Sequence, residues 1–240
     1  MMKSTKKFYV VIVTIAIVWL ILIACNDGSN AGCSHDWGWE INGVSISKKI
    51  CSKCGEKTNG AIGDTGPAGG IIFYVNANGF DLHVTEITTV TAYYLEAAPV
   101  DEIPSAWGKL GTLIPGVASF NVTETPYPDT IGCGNRDTDL IFYYNEHEGL
   151  TDTAVQIIKS NANYGGYTGW FLPSRDELNE LYKLYVKKGK GSYGALNATG
   201  YFSSTECGFN GAWKQSFNSG DQDVTSKDLS MNIRAIRAFQ

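Results

Sequence analysis

The sequence has few residues suited to acid–base catalysis. It contains three histidines among 240 residues, His35, His83 and His147. It has no G-x-S-x-G segment, which marks a hydrolase nucleophile, and no H-E-x-x-H segment, which marks a zinc protease. Charged residues make up only 18% and apolar residues 43%, so the chain is able to form a packed core and is not globally disordered. These absences favour a protein that is not an enzyme.

A hydrophobic run long enough to span a bilayer is also missing. The apolar run at residues 8–23 is shorter than the roughly 20 residues that a spanning helix needs. Three lysines precede it, and residues 22–25 read L-I-A-C, which resembles the lipobox of bacterial lipoproteins. The pattern predicts a signal peptide at residues 1–24 and lipidation of Cys25, whose acyl chains anchor the protein to a membrane. An uncleaved anchor and a plain secretion signal are the alternatives.

Basic residues are fewer than acidic residues once this signal is removed. The signal holds three lysines and no acidic residue, which leaves 16 basic against 24 acidic residues and a net charge of −8. Because nucleic-acid binding needs a basic surface, we expect no nucleic-acid partner.

The rest of the chain divides by composition into four segments. Residues 25–32 are small and polar, as in a flexible tether. Residues 33–58 form a small module rich in Cys and His. Residues 59–70 have a glycine at every third position, which indicates a linker or turn, with a collagen-like origin as the alternative. The main domain occupies residues 71–240.

Three cysteines and a histidine lie close together in the small module. Cys33 and His35 form C-x-H, and Cys51 and Cys54 form C-x-x-C followed by Gly55. This set supplies the four tetrahedral ligands of a structural zinc ion, and it leaves no open position for catalysis. Zinc would also stabilise a segment too small to form its own core. A Cys51–Cys54 disulfide, which leaves Cys33 single, and free thiols remain as alternatives.

Hydrophobic patterns in the main domain predict short strands and a few helices. Two helices are predicted at residues 137–149 and 151–163, each beginning with Asp or Thr before a periodic apolar run. The predicted strands are residues 71–75, 93–99, 201–206, 212–217 and 232–239.

The segment that begins at Ser174 predicts a further helix. Ser174 and Glu177 form the S-x-x-E capping box, in which each side chain accepts a backbone N–H of the first turn. Asp176 and Glu177 lie where the helix dipole favours negative charge. The acidic cluster therefore has a structural explanation, and a catalytic role is not expected. An apolar stripe follows, consisting of Leu178, Leu181, Tyr182 and Tyr185.

Several segments in order resemble a known bacterial family. They are "GPAGGIIFYV", "YLEAAP", "IGCGNRDTDLI", "GWFLPSRDELNELY", "YFSSTE", "AWKQSF" and "IRAIRAF", and they cover residues 64–240. They resemble the DUF1566 family, which also forms the C-terminal domain of Legionella collagen-like proteins, in a lipoprotein similar to spirochaete surface lipoproteins. The resemblance implies an α+β, C-type-lectin-like fold with small antiparallel sheets, two to three helices and long loops.

This fold group pairs its first and last strands, so residues 71–75 are expected to pair with residues 233–239. The calcium-dependent lectins of the group use E-P-N or Q-P-D and W-N-D motifs. These motifs are absent, and Lys214 and Gln215 follow the tryptophan of "AWKQSF", so no calcium site is implied.

Two further cysteines, Cys133 and Cys207, lie in the main domain. A disulfide between them would close a 74-residue loop and stabilise the fold by roughly 4 kcal/mol. Two separate buried thiols are the alternative. The formylglycine-generating activity found in the same fold group is not implied, because the other motifs of those enzymes are missing.

The glycine-rich tips at residues 187–194 and 207–212 are the predicted recognition surface, because binding residues concentrate on loops between rigid elements. The candidate ligand-binding residues are Lys187, Lys188, Tyr193, Phe209 and Asn210. Trp107, Trp170 and Trp213 are interpreted as packing residues.

Together, these features predict a lipid-anchored protein of the bacterial cell envelope, at the outer membrane or cell surface. Its main domain is expected to bind an extracellular glycan or protein noncovalently, as an adhesin does. An enzyme built on the same fold and a purely structural envelope protein are the alternatives.

Overall fold

A computed structural model describes residues 34, 36–42, 45–117, 130–190 and 196–240. Cys25, Cys33, His35 and Tyr193 lie outside the described residues, as does the predicted signal peptide. The chain divides into two compact units, one made of residues 1–42 and 47–59 and the other of residues 43–46 and 60–240.

The first unit contains a three-stranded sheet with strand order β1-β2-β3. The strands are β1 (Trp37–Asn42), β2 (Ser45–Cys51) and β3 (Lys57–Thr58). Strands β2 and β3 are antiparallel, with Ile50 opposite Lys57. A tight turn between them carries the C-x-x-C segment.

In the second unit, one sheet contains both the first and the last strand. Its strands are β4 (Ile71–His83), β5 (Thr89–Ala97) and β11 (Ile236–Phe239), in the order β11-β5-β4. The predicted pairing of residues 71–75 with 233–239 is wrong, because β5 lies between them. Ile71 and Ile236 both pair with Ala97. Since β4 and β5 form a hairpin, β5 occupies the position beside β4, and β11 pairs with the other edge of β5.

The second sheet of this unit has the order β6-β10-β7-β8-β9. Its strands are β6 (Glu102–Ser105), β7 (Gly200–Cys207), β8 (Gly211–Ser216), β9 (Gln222–Ser226) and β10 (Met231–Ile233). Neighbouring strands are antiparallel except β7 and β10, which are parallel. The strand predicted at residues 232–239 is split at Arg234 and Ala235, where the chain passes from the second sheet to the first.

Three α-helices and one short 3-10 helix belong to the second unit. They are α1 (Gly134–His147), α2 (Ala154–Asn161), the 3-10 turn Tyr164–Gly166 and α3 (Arg175–Lys187). No helix within the described ranges is long and apolar enough to cross a bilayer. The described chain is therefore α+β with small, largely antiparallel sheets, as the sequence predicts.

Helix α3 begins with the predicted capping box. The Ser174 hydroxyl accepts the Glu177 N–H at 3.2 Å, and the Glu177 carboxylate accepts the Ser174 N–H at 2.7 Å. The other Glu177 oxygen accepts the Gly132 N–H at 2.8 Å, so this carboxylate also fixes the approach to α1. Leu178, Leu181 and Tyr185 are buried, as the stripe predicts.

Two hydrophobic clusters fill the second unit. Trp107 and Trp170 are fully buried in the first cluster, together with residues of α1 and α2. The second cluster joins the β4–β5 hairpin to α3 and includes Phe73, Leu178 and Phe217. The packing role of Trp107 and Trp170 is confirmed, whereas Trp213 is only partly buried.

Residues 60–70, which the sequence predicts as a linker or turn, belong to the second unit. The Ala68 and Gly70 N–H groups donate to the Glu96 carboxylate of β5 at 3.0 and 2.9 Å. A side chain at position 70 would place its Cβ 1.9 Å from the Ala97 carbonyl oxygen, so glycine is required there by a close approach of two backbones. Of the regularly spaced glycines, Gly66 also lies against β5, because a Cβ there would be 2.2 Å from the Glu96 side chain, whereas nothing lies within 4 Å of a Cβ at Gly69.

Candidate ligand-binding surface

The structure separates the predicted ligand-binding residues into two groups. Phe209 and Asn210 form the β7–β8 turn, whereas Lys187 and Lys188 lie at the end of α3. The Lys190 ammonium donates to the Asn218 carbonyl at 2.7 Å in the β8–β9 turn. These two turns lie at opposite ends of the six-residue strand β8, about 15–20 Å apart. The predicted residues therefore do not form one site.

Phe209 and Asn210 belong to a set of three loops that are hydrogen-bonded to one another. We call residues 107–114, 208–210 and 227–229 the loop surface. The Thr112 N–H donates to the Phe209 carbonyl at 3.2 Å. The Lys227 N–H donates to the Asn210 carbonyl at 3.0 Å, and the Asn210 side chain accepts the Gly111 N–H at 2.9 Å.

Each of these loops carries an exposed apolar side chain. Leu110 is 40% exposed, Phe209 59% and Leu229 53%. Scattered exposed apolar residues are ordinary, but a group on adjoining loops is typical of an interaction site. The loop surface is therefore the candidate site.

A buried ion pair, Glu206 with Lys227, lies beneath the loop surface. The two side chains are 1% and 0% exposed. The Glu206 carboxylate also accepts the Ile114 N–H at 3.2 Å, and the Lys227 ammonium donates to the Thr112 carbonyl at 2.7 Å. The ammonium lies 4.9 Å from the centre of the Trp107 ring, within cation–π range. Both charges are thus bound to backbone groups of residues 107–114.

Burial shifts the two members of this pair in opposite directions. It raises the pKa of Glu206, and the adjacent ammonium opposes that shift. It lowers the pKa of Lys227, and the Glu206 carboxylate opposes that shift. Both directions follow from the free-energy penalty of placing a charge in a region of low dielectric constant.

A second buried pair, Glu96 with Arg237, lies in the first sheet. The guanidinium is 3.4 Å from the carboxylate. It lies 4.2 Å from the ring centre of Tyr167, 5.1 Å from that of Phe239 and 5.9 Å from that of Trp170. Burial raises the pKa of Glu96, against the effect of Arg237. This pair holds residues 68–70 on β5.

A third pair, Arg234 with Asp101, lies where the chain passes between the sheets. The Arg234 Nε lies 2.5 Å from the Asp101 carboxylate, and its Nη1 donates to the Ala98 carbonyl at 2.6 Å. The Tyr201 hydroxyl donates to the same carboxylate at 2.8 Å. Burial, followed by the Asp101 charge, raises the pKa of Tyr201 to about 12.

The cysteines of the second unit do not form the predicted disulfide. Cys133 is a fully buried free thiol, 3.4 Å from the Thr130 hydroxyl. Burial raises the pKa of the Cys133 thiol. Cys207 is also buried, at the end of β7, and no bridge joins it to Cys133. The alternative of separate buried thiols is therefore what the structure shows.

In the first unit, the C-x-x-C segment forms a tight turn. The Gly55 N–H donates to the Cys51 carbonyl at 2.9 Å, and Gly55 has φ of +73°, which glycine adopts without strain. No group of three metal-ligating side chains occurs within the described ranges, which contain Cys51 and Cys54 but neither Cys33 nor His35.

The residues on either side of His35 are bonded to this turn. Lys53 donates to the Ser34 carbonyl at 2.8 Å, and the Ser52 N–H donates to the Asp36 carbonyl at 2.9 Å. Residues 34 and 36 therefore lie beside the two residues that separate Cys51 from Cys54.

Sequence reasoning missed the buried ion pairs. Glu96 follows three apolar or aromatic residues of β5, and Glu206 is the second-last residue of β7, a strand that is buried along most of its length. A carboxylate inside such a run was the available signal, because buried acids are rare unless they are paired. Their basic partners, Arg237 and Lys227, carry no comparable local signal.

Comparisons with known proteins do not show a family for this chain. No protein-family model matches the chain, and no curated protein matches it. Among solved structures, a fimbrial protein from Bacteroides ovatus is similar with a TM-score of 0.48 and 15% sequence identity. The match covers 77% of this chain and 47% of that protein, so this chain spans about half its length. No argument about fold or function rests on a likeness of this size.

Proposed function

We propose that the second unit is a noncovalent ligand-binding module that uses the loop surface to bind an extracellular glycan or protein. The observation that supports this proposal is the set of exposed side chains Leu110, Phe209 and Leu229 on three mutually bonded loops. Such loops are ordered before a ligand arrives, which lowers the entropy loss on binding. Phe209 offers an aromatic face, which suits either a sugar ring or an apolar side chain.

The proposal makes this protein an adhesin-like lipoprotein of the bacterial cell envelope. The lipobox-like sequence at residues 22–25 supports anchoring through Cys25 at the outer membrane or cell surface. The net charge of −8 without the signal disfavours nucleic acid as the ligand.

A C-type-lectin-like fold of the DUF1566 type is part of the same proposal. Its support is the sheet that holds both β4 and β11, three helices between the sheet strands, and the ordered family-like segments. The insertion of β5 between the first and last strands departs from the expected direct pairing.

We also propose that the protein is not an enzyme. The buried acids Glu96, Glu177 and Glu206 each accept backbone N–H groups or bind a basic side chain, and these contacts occupy the oxygens that acid–base catalysis requires. An enzyme on the same fold and a structural envelope protein remain the competing functions.

A binding screen tests the main proposal. The detergent-purified full chain is applied to glycan and extracellular-protein arrays, beside its Phe209→Ala and Ile62→Ala variants. Ile62 is the matched control, since it is apolar and 47% exposed but lies outside the loop surface. Saturable binding that Phe209→Ala weakens and Ile62→Ala preserves supports the proposal. Turnover of a bound compound points to an enzyme, and no binding by any form points to a structural protein.

For the first unit we propose a structural zinc ion held by Cys33, His35, Cys51 and Cys54. The support is the bonding of Ser34 and Asp36, the neighbours of His35, to the C-x-x-C turn. Zinc would fix this turn and supply stability that a sheet of three short strands lacks.

Metal analysis tests the zinc proposal. We expect one zinc per full chain and little in the Cys51→Ser variant. A Cys133→Ser variant is the control, because Cys133 lies in the other unit. Equal zinc in all three proteins, or none in the unchanged chain, contradicts the proposal.

A further inference from the structure

The Glu206–Lys227 pair is connected to all three loops of the loop surface. Glu206 accepts the Ile114 N–H, and the Lys227 side chain donates to the Thr112 carbonyl. The Lys227 backbone N–H donates to the Asn210 carbonyl, and its carbonyl accepts the Trp107 N–H at 2.8 Å. One residue, Lys227, therefore contacts residues 107–114 and 208–210 while belonging to the third loop.

We propose that Glu206 and Lys227 are positioning residues whose ion pair holds the three loops in their binding arrangement. This inference rests on the proposed function for its biological meaning. Neither residue needs to touch the ligand, because both are buried. They act through Thr112, Ile114 and Asn210, whose backbone groups they bind.

Few other charges act on this pair. Beside Glu206, the ammonium of Lys227 is the charged group, and the Cys207 thiol is the other titratable group near Lys227. On the loop from residue 107, Lys109 is paired instead with Glu148 of the segment after α1, at 2.7 Å. From β9 and its turn, Asp228 accepts a hydrogen bond from Ser226 at 2.5 Å. Among the described residues, Glu206 and Lys227 are thus each other's main electrostatic partners.

Hydrogen exchange of the full chain, without any ligand, tests this inference. The variant is Glu206→Gln, which keeps the shape and removes the charge. We expect amide exchange to become about tenfold faster at Ile114, whose N–H donates to Glu206, and at Gly111 and Thr112 of the same loop, because the contact that holds this loop is weakened. Unchanged exchange at these three amides overturns the proposal.

Glu96→Gln is the matched control, since Glu96 is also a buried carboxylate that accepts backbone N–H groups beside a basic side chain. It should accelerate exchange at Ala68 and Gly70 and leave Gly111 to Ile114 unchanged. Acceleration of Gly111 to Ile114 by both variants would indicate general loosening and overturn the inference.

Lys227→Met provides a second variant, which keeps an unbranched side chain and removes the ammonium. Faster exchange at the same three amides, in a protein that circular dichroism shows to be folded, supports the inference, and unchanged exchange contradicts it. Because no ligand is present in these measurements, a failure here is distinct from a negative array screen.

Discussion

The two glutamate pairs of the second unit use the same contacts around different cations. Glu96 and Glu206 are both buried in strands, and both accept backbone N–H groups from a distant loop. Arg237, the partner of Glu96, is surrounded by three aromatic rings, whereas Lys227 contacts one. Arginine stays charged at every pH at which proteins fold, while a buried lysine shifts its pKa readily. The cation of the first pair therefore stays charged, whereas the charge of Lys227 depends on its carboxylate partner.

The segments that these pairs hold also differ. Glu96 fixes residues 68–70 against β5, where glycine allows two backbones to approach closely. Glu206 fixes loops that expose Leu110, Phe209 and Leu229. A similar arrangement therefore holds a packed segment against β5 in one sheet and loops with exposed apolar side chains at the edge of the other.

The largest expected effect comes from removing the arginine. Arg237→Ala leaves the Glu96 carboxylate buried without its partner, and we expect a loss of about 3–5 kcal/mol in the free energy of unfolding, measured in urea. Lys227→Ala should lose about 1 kcal/mol less, because it gives up one cation–π contact instead of three. An equal or greater loss for Lys227→Ala would remove the distinction between the two pairs.

A second prediction concerns the third pair, at the crossing between the sheets. With its pKa raised to about 12, Tyr201 is neutral in the folded protein at a pH where an ordinary tyrosine ionises. The contribution of Tyr201 to the free energy of unfolding, on the order of 2 kcal/mol, is present in full below pH ~10 and is lost as the pH rises toward 12.

Ultraviolet titration of the phenolate measures this effect. We expect a late ionisation step near pH 12, accompanied by loss of near-ultraviolet circular dichroism, that is missing in Tyr201→Phe. A titration of Tyr201→Phe that matches the unchanged chain would show that Asp101 and Arg234 do not hold this hydroxyl.

The Ser174 hydroxyl is an uncharged hydrogen-bonding group whose removal can be compared with removal of the charged side chains. Ser174→Ala removes a hydroxyl that accepts the Glu177 N–H, and we expect a loss of about 1 kcal/mol on urea unfolding. Ser219→Ala, in the exposed β8–β9 turn, should change stability by less than about 0.5 kcal/mol. If Ser174→Ala lowers the free energy of unfolding as much as Arg237→Ala does, the loss of a charged partner does not explain the larger effect expected for the ion pair.

The smallest expected stability effect lies at the exposed side chains. Phe209→Ala and Ile62→Ala should each change the free energy of unfolding by less than about 0.5 kcal/mol, because both side chains are largely in water. Phe209→Ala should nevertheless weaken ligand binding about tenfold or more, as loss of an aromatic anchor does. A large stability loss in Phe209→Ala would assign this ring to packing instead.

Local signals in the sequence predicted local structure well. The start of α3 follows from Ser174 and Glu177, which lie three residues apart and whose hydrogen bonds need no distant partner. The burial of Trp107 and Trp170 follows from the size and apolar character of indole. The predicted ends of α1 and α2 were less accurate, since neither helix has a side-chain cap hydrogen bond that would mark its first residue.

Contacts between residues that are distant in the sequence were predicted less well, because they depend on how the strands return the chain. The position of β5 between β4 and β11 depends on the β4–β5 hairpin, whose turn has no strong sequence signal. Lys227 and Glu206 are 21 residues apart and meet only because β8 and β9 return the chain to β7. For the same reason, the sequence placed Lys187 and Phe209 in one site, although β8 separates them.

Phe209 takes part in the loop network through its carbonyl oxygen, which accepts the Thr112 N–H, while its ring stays exposed. The backbone of this turn is thus held independently of the residue type at position 209. A single codon change there would therefore replace the exposed side chain of this turn without a compensating change in the contacts that hold its backbone.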